Sequence, residues 1–425
     1  MPAELPRLFP ELCDVIIDCL HDDPRALIAC SQVCREWVHT SRAILFHKVC
    51  LPGRQVRSLV SLLRSEHQTI SGAVKELSIS ILDEHAVLTE ILAEILASLH
   101  AIKTLKLLHF VLSTGVSQVF AIMPAKVKKL KLGMIIGLDL HLVELLSSFP
   151  ALDTLSFPQT LESPIIYGAR QPITHFFPRP PLRALELCLP FPSAEKILDA
   201  LISLSILESF EDLSLHCPEA LKGKDGVKYM SAVARLLSGL GPQLERLELD
   251  LRSNSYPFLQ AQHIDLRHCT RLRDISIKSA TERTSQAWAP LVLRNLNTAS
   301  IRTVRFILRP IIRDRRLRPL AAVIEAPYTV STPWLDWMSD WINREAFPLS
   351  SAKCPLLERV TFEVFLRPSL ISLLSENLSF IGRLDDLEAH LQSQYAYLNI
   401  QDLLSVEVTP LNNDRKKEAI LAPSP

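Results

Sequence analysis

The stretch 74–79, VKELSI, sets a frame that most of the chain repeats: apolar, charged, any, apolar, any, apolar. It returns as IKTLKL (102–107), VKKLKL (127–132), LDTLSF (152–157), LRALEL (182–187) and FEDLSL (210–215). LERLEL (244–249), LRDISI (272–277), IRTVRF (301–306) and LERVTF (357–362) complete ten copies, and every second residue is charged. The central apolar residues are Leu77, Leu105, Leu130, Leu155, Leu185, Leu213, Leu247, Ile275, Val304 and Val360. Their successive gaps are 28, 25, 25, 30, 28, 34, 28, 29 and 56. The last gap is twice 28, which predicts one eroded or replaced repeat between 304 and 360. A weaker eleventh copy, LLSVEV (403–408), lacks the charge.

Within each copy the last four residues alternate with period two, as a short strand with one buried face must. Helical spacing fills the intervals at His85–Leu99, Ser193–Leu204, Val227–Leu240 and Leu370–Phe380. A strand and a helix at this period, in an L-x-x-L-x-L frame, resemble the leucine-rich-repeat pattern. That resemblance implies an α/β solenoid of about 10–12 repeats, with parallel strands on a concave face and helices on a convex one. The Asn or Cys of the pattern, five residues after the central Leu, is replaced by Leu82, Phe110, Ile135 and Thr160 in the first four copies. The backbone groups that Asn would satisfy must be met otherwise, so the expected solenoid is irregular. Two insertions interrupt it: 158–181, with six Pro, and 309–333, carrying Arg309, Arg313, Arg315, Arg316 and Arg318. After Thr332-Pro333 a helix is expected in which Trp334, Trp337 and Trp341 share a face, a stripe that reads as core or, if exposed, as a partner site.

Residues 8–50 read differently, as a small helical unit. Pro10 and Glu11 suit a first helical turn, and Leu12, Ile16, Ile17 and Leu20 follow on one face. Asp23-Pro24 is a second start signal, after which Leu27, Cys30, Cys34 and Trp37 form another apolar stripe; a third short helix is expected from about Ser41, carrying Ile44, Leu45 and Phe46. So few residues bury little surface, so the unit is expected to lean on a partner or on the rest of the chain. Leu8-Phe9-Pro10-Glu11-Leu12 and Cys30-Ser31-Gln32-Val33-Cys34-Arg35-Glu36-Trp37 resemble an F-box, in particular the F-box-like proteins abundant in mushroom-forming fungi. Val33-Cys34-Arg35-Glu36-Trp37 matches the family core, while Phe9 stands where the family has Pro. The resemblance implies docking on a Skp-type adaptor, and through it a cullin, by Leu8, Pro10, Leu12, Ile16, Leu20, Val33 and Trp37.

Bulk properties exclude several classes. Lys and Arg number 46 and Asp and Glu 46, so no overall field favours nucleic acid or an anionic membrane. Gly occurs only 11 times, where average usage would give about 30, and no glycine-rich phosphate loop is present. Met1–Leu12 has no signal-like pattern, no apolar run reaches membrane-spanning length, and the nine Cys are scattered singly. A cytoplasmic or nuclear protein is expected. Cys30 and Cys34 lack a second ligand pair and read as core thiols; the histidines are dispersed, and no H-E-x-x-H or G-x-S-x-G occurs. Neither a metal, a cofactor nor a catalytic set is expected.

These readings give three segments: a three-helix F-box over 1–52, a solenoid over 53–410, and a disordered tail over 411–425. The third and fifth positions of each copy should project from the sheet face opposite the core. The charged second position sits at the strand's entry, and together these positions place Lys103, Lys106, Lys128, Lys129 and Lys131 in a basic zone and Glu186, Glu245 and Glu248 in an acidic one, both candidates for target binding. The function implied is that of a substrate-recognition subunit of a Skp–cullin–F-box ubiquitin ligase, itself without catalytic residues. A repeat scaffold that joins no ligase is the alternative.

Overall fold

Strict alternation after a charged residue gives a short strand with one apolar face, and a strand forms at each of the ten copies. In the computed structural model the described residues are 9–65, 70–80, 87–108, 110–111, 119–120, 126–133, 135–136, 138–157, 181–188, 198, 201–202, 209–217, 223–251, 264–281, 292–293, 295–310, 354–366 and 404–410. Two compact units divide the chain, Met1–Glu186 and Leu187–Pro425, and the division falls inside the repeat array. Most of both insertions, the Trp334–Trp341 stripe, the helix expected at Leu370–Phe380 and the tail lie outside the described residues, whereas Arg309 ends up on a strand.

The first unit opens with α1 (Pro10–Asp18), α2 (Pro24–Cys30) and α3 (Arg35–Leu45). Then come β1 (Lys48–Pro52), α4 (Val56–Leu63), β2 (Glu76–Ser80), α5 (Val87–Ser98), β3 (Thr104–Leu108) and β4 (Phe110–Val111). It closes with β5 (Lys129–Leu132), β6 (Ile135–Ile136), α6 (Leu138–Ser147), β7 (Thr154–Phe157) and β8 (Ala184–Leu187). Its sheet has the order β1-β2-β3-β5-β7-β8. The second unit holds β9 (Asp212–Cys217), α7 (Gly223–Leu240), β10 (Arg246–Leu251), β11 (Asp274–Thr281), β12 (Thr303–Pro310), β13 (Arg359–Leu366) and β14 (Leu404–Pro410), hydrogen-bonded in that order. Pairing is parallel, and the central residues meet in register: Leu77 with Leu105, Leu105 with Leu130, Leu130 with Leu155. In the second unit Leu213, Leu247, Ile275, Val304 and Val360 do the same.

Positions one and four of all ten copies are buried, from Val74 and Leu77 to Leu357 and Val360. Helix residues such as Leu92, Ile95, Leu142 and Leu145 are buried as well. The charged second position carries a backbone device. Its carbonyl accepts two N–H groups from the next copy, those of that copy's second and third residues, at 2.7–3.1 Å. Lys75, Lys103, Lys128 and Asp153 each do so, as do Glu211, Glu245, Arg273 and Arg302. The chain is thus pinned just before β3, β5, β7, β8, β10, β11, β12 and β13. At two of the positions where the Asn is missing, the backbone is met by strand pairing instead: Phe110 and Ile135 pair with each other as β4 and β6.

Four local readings are corrected. Strand β1 lies inside the segment assigned to the F-box; FHKVCL (46–51) fits the frame with His47 in the charged place, and His47 O accepts from Lys75 and Glu76 as the other second positions do. The stripe running from Leu27 to Trp37 spans two helices, because Ser31 Oγ turns back to Ile28 O at 2.7 Å and Cys34 is extended (φ −157, ψ 167). Cys30 is buried but Cys34 is exposed, so only the first is a core thiol. Strand β12 pairs directly with β13 across the 56-residue gap, which is compatible with an eroded or replaced repeat there, but β14 sits two residues out of frame, with Leu404 rather than Val406 opposite Val360. A slip of two keeps the same side chains on the same face.

Candidate functional site

Two surfaces concentrate unusual side chains. The first is the helical unit. Ile17, Leu27 and Cys30 form its small core, with Leu20, Trp37, Ile44 and Leu45 packed on it partly buried, and Thr40 Oγ1 ties α3 to Asp14 on α1 at 2.5 Å. Asp23 caps α2 by accepting from the N–H groups of Arg25 and Ala26 at 3.0 and 3.1 Å. With Cys13 and Ile17 turned inward, one flank of α1 is left apolar and exposed, beside the exposed acids Glu11, Asp14 and Asp18. Phe9 (71 % exposed), Leu12, Val15 and Ile16 are neighbours there at helical spacing. Val33 is 63 % exposed in the α2–α3 turn, and Ile28 on α2 is exposed too. Of the residues named for adaptor docking, Leu12, Ile16 and Val33 are therefore on the surface, while Leu20 and Trp37 belong to the core cluster. Leu8 and the side chain of Pro10 lie outside the described residues. Phe9, Val15 and Ile28 carry the same exposed apolar character without having been singled out.

The second surface is the sheet face opposite the core, described unit by unit. In the first unit, Lys106 and Lys131 are register partners, and Lys129 lies beside Thr104. Lys103 and Lys128 are exposed immediately before β3 and β5. Lys106 is ion-paired with Glu76, which also lies 3.9 Å from Lys48. Burial opposes the charge of Glu76, but the Lys106 hydrogen bond and the neighbouring ammonium groups outweigh it and hold its carboxyl below the usual range. Glu186 accepts from Ser156 Oγ at 2.8 Å.

In the second unit each named acid meets a base from strand β11 or from the residues just before it. Glu245 is paired with Arg271 and lies 3.9 Å from Arg273, and Arg246 Nη2 donates to Asp212 at 2.6 Å. Glu248 accepts from Lys278 Nζ at 2.5 Å and from Ser214 Oγ at 2.9 Å. Burial works against that carboxylate, yet Lys278, Ser214 and His216 together keep it below the ordinary glutamate range. His216 Nδ1 lies 3.2 Å from the carboxylate of Asp250, which is 1 % exposed, and Arg305 Nε donates to the buried Glu363 at 2.7 Å. The expected acidic zone is thus a ladder of crossed charges. His216, Lys278, Arg305 and Glu363 were legible only as every second residue of strands whose register was not yet known.

Ser214, His216 and Asp250 hydrogen-bond in the order hydroxyl, imidazole, carboxylate, with Ser214 Oγ 3.0 Å from His216 Nε2. A nucleophilic serine would need its proton directed to the imidazole and free N–H donors for an oxyanion. Ser214 instead gives its proton to Glu248, and the trio sits on paired strands whose N–H groups serve the ladder. It ties β9 to β10. Among the described residues no group of three or more His, Cys, Asp or Glu could hold a metal ion, and no helix is long and apolar enough to cross a membrane.

Register, period and burial together define a parallel strand-and-helix repeat protein, like leucine-rich-repeat proteins in architecture. No known protein family profile matches the chain, and no curated protein matches it. Among solved structures, the leucine-rich repeat-containing protein LegL7 from Legionella pneumophila is similar at 16% identity, over 69% of this chain and 85% of that one, with a TM-score of 0.38. The class rests on the strand register and the burial pattern, and that likeness adds no further weight.

Proposed function

We propose that the chain is a non-catalytic recognition subunit: the exposed apolar flank of α1 and the Val33 turn dock a Skp-type adaptor of a cullin-based ubiquitin ligase, and the sheet face holds a protein target. The observation that carries this is the exposed apolar row Phe9, Leu12, Val15 and Ile16 on a helix whose other side already completes a small core. An apolar surface left open on so small a unit favours a protein partner over water. The F-box resemblance names the adaptor. Work is done by proximity: one surface anchors the chain to the ligase and the other raises the target's effective concentration beside it.

Co-expression with a Skp-type adaptor tests the proposal. The wild-type chain should co-purify with it. Leu12→Asp combined with Val33→Asp should abolish co-purification while circular dichroism stays unchanged, because both side chains are exposed. If the wild type fails to bind, or the double variant binds as well as wild type, the ligase reading falls and a free repeat scaffold remains.

A further inference from the structure

We infer that Asp14 and Thr40 form a latch that aligns the two halves of the docking surface, so that Thr40 is a positioning residue for the partner and not a contact of it. The inference rests on the reading of the helical unit as a docking surface. That surface is split between separate elements: Phe9, Leu12, Val15 and Ile16 belong to α1 and its start, and Val33 stands in the turn before α3. A rigid partner can cover both only if α1 holds one angle and one roll relative to α3.

The apolar core does not fix that roll. Its buried members are Ile17, Leu27 and Cys30, and Leu20, Trp37, Ile44 and Leu45 pack on them only partly buried. Burial of this kind has no direction, so it resists separation of the helices better than rotation. The helices cannot hold themselves either. They are 9, 7 and 11 residues long, below the ~12–15 at which an isolated helix becomes even marginal in water. Neither Phe9 before α1 nor Cys34 before α3 supplies a side-chain cap.

Thr40 supplies the missing direction. Its Oγ1 donates to Asp14 Oδ1 at 2.5 Å, joining α3 to α1 across 26 positions of sequence. Residues on a helix advance by about 100° each. From the inward line of Cys13 and Ile17, Leu12 and Ile16 therefore fall on one side of α1 and Asp14 on the other. A core contact and a hydrogen bond at two different azimuths fix a helix against rolling, which the core contact alone does not. On α3, Thr40 lies three residues after Trp37 and four before Ile44, both packed on the core, so the latch closes beside the packed stripe. The neighbouring Ser41 is an internal control: it is 0 % exposed, and its hydroxyl has no hydrogen-bond partner among the described residues. Of two adjacent hydroxyls, one reaches across to α1 and the other does not.

The test uses the full chain and a purified Skp-type adaptor, read by isothermal titration and by hydrogen–deuterium exchange of the free chain. Thr40→Val, close in shape but without the hydroxyl, should weaken docking about fivefold, the scale of one hydrogen bond. Asp14→Ala should do the same, and the double variant should be no weaker than either single one, because both changes remove one bond. Thr40→Ser should restore docking, and Ser41→Ala should dock at least as well as wild type. In the free chain, the amides of 10–18 should exchange faster in Thr40→Val and return to the wild-type rate in Thr40→Ser. Unchanged docking by Thr40→Val, additive losses in the double variant, or unchanged exchange of α1 would each overturn the inference. The exchange arm needs no adaptor: if it responds as expected and the wild-type chain binds no adaptor, the latch stands and the ligase reading alone falls.

Discussion

At the scale of single residues, small groups hold the repeats in place. A Cβ on Gly241 would lie 3.1–3.2 Å from the backbone of His268, and backbone cannot swing aside as a side-chain tip can. Gly241→Ala should therefore cost roughly 1–3 kcal/mol by overpacking, read as a lower urea midpoint with the far-ultraviolet spectrum retained. Asp265 offers a pH-dependent counterpart. The Arg267 guanidinium, held against it at 2.6 Å, keeps its carboxyl down at about 2. A depressed carboxylate contributes stability that is complete above its ordinary value and lost as pH falls through the folded one. Asp265→Asn should be less stable than wild type near neutral pH, and the two should converge as pH approaches that lower value; a difference that does not change with pH would contradict the assignment. Arg267 is freely solvated, so the effect should be small and weakened by salt.

At the scale of elements, α2 depends on its cap. Asp23→Ala removes the acceptor for two N–H groups and should cost about 1 kcal/mol, with Asp23→Ser recovering most of it, measured as urea midpoints for the three chains. The strands were legible because each needs only two apolar residues in alternation, and the charged second residue marks where they start. Strand β1 is not legible from the frame because His47 fills the charged place and the residues before it carry helical spacing. The break between α2 and α3 escaped because Leu27, Cys30, Cys34 and Trp37 keep helical spacing across a turn that the Ser31 hydroxyl and the extended Cys34 impose. The pairing of β4 with β6 could not be read at all, since Phe110 and Ile135 carry no mark of partnership until β3 and β5 are side by side.

At the scale of the whole molecule, the named lysines were legible as a group because their strands follow one another in both sequence and sheet. The acids were legible only as charges: Lys278, Arg246 and Arg271, which neutralise them, come from different copies or from the turns between copies. For the helical unit, spacing alone could not separate inward from outward residues; Ile16 and Ile17 are adjacent, one exposed and one fully buried. That split, on a unit too small to waste apolar surface, is the basis of the adaptor reading. Hydrogen–deuterium exchange of the full chain, with and without a purified Skp-type adaptor, tests it most directly. The account predicts a saturable complex in which exchange slows over 9–18 and 31–37 and is unchanged on β2, β3, β5 and β7. No complex, or slowed exchange on those strands with none on α1, would contradict it.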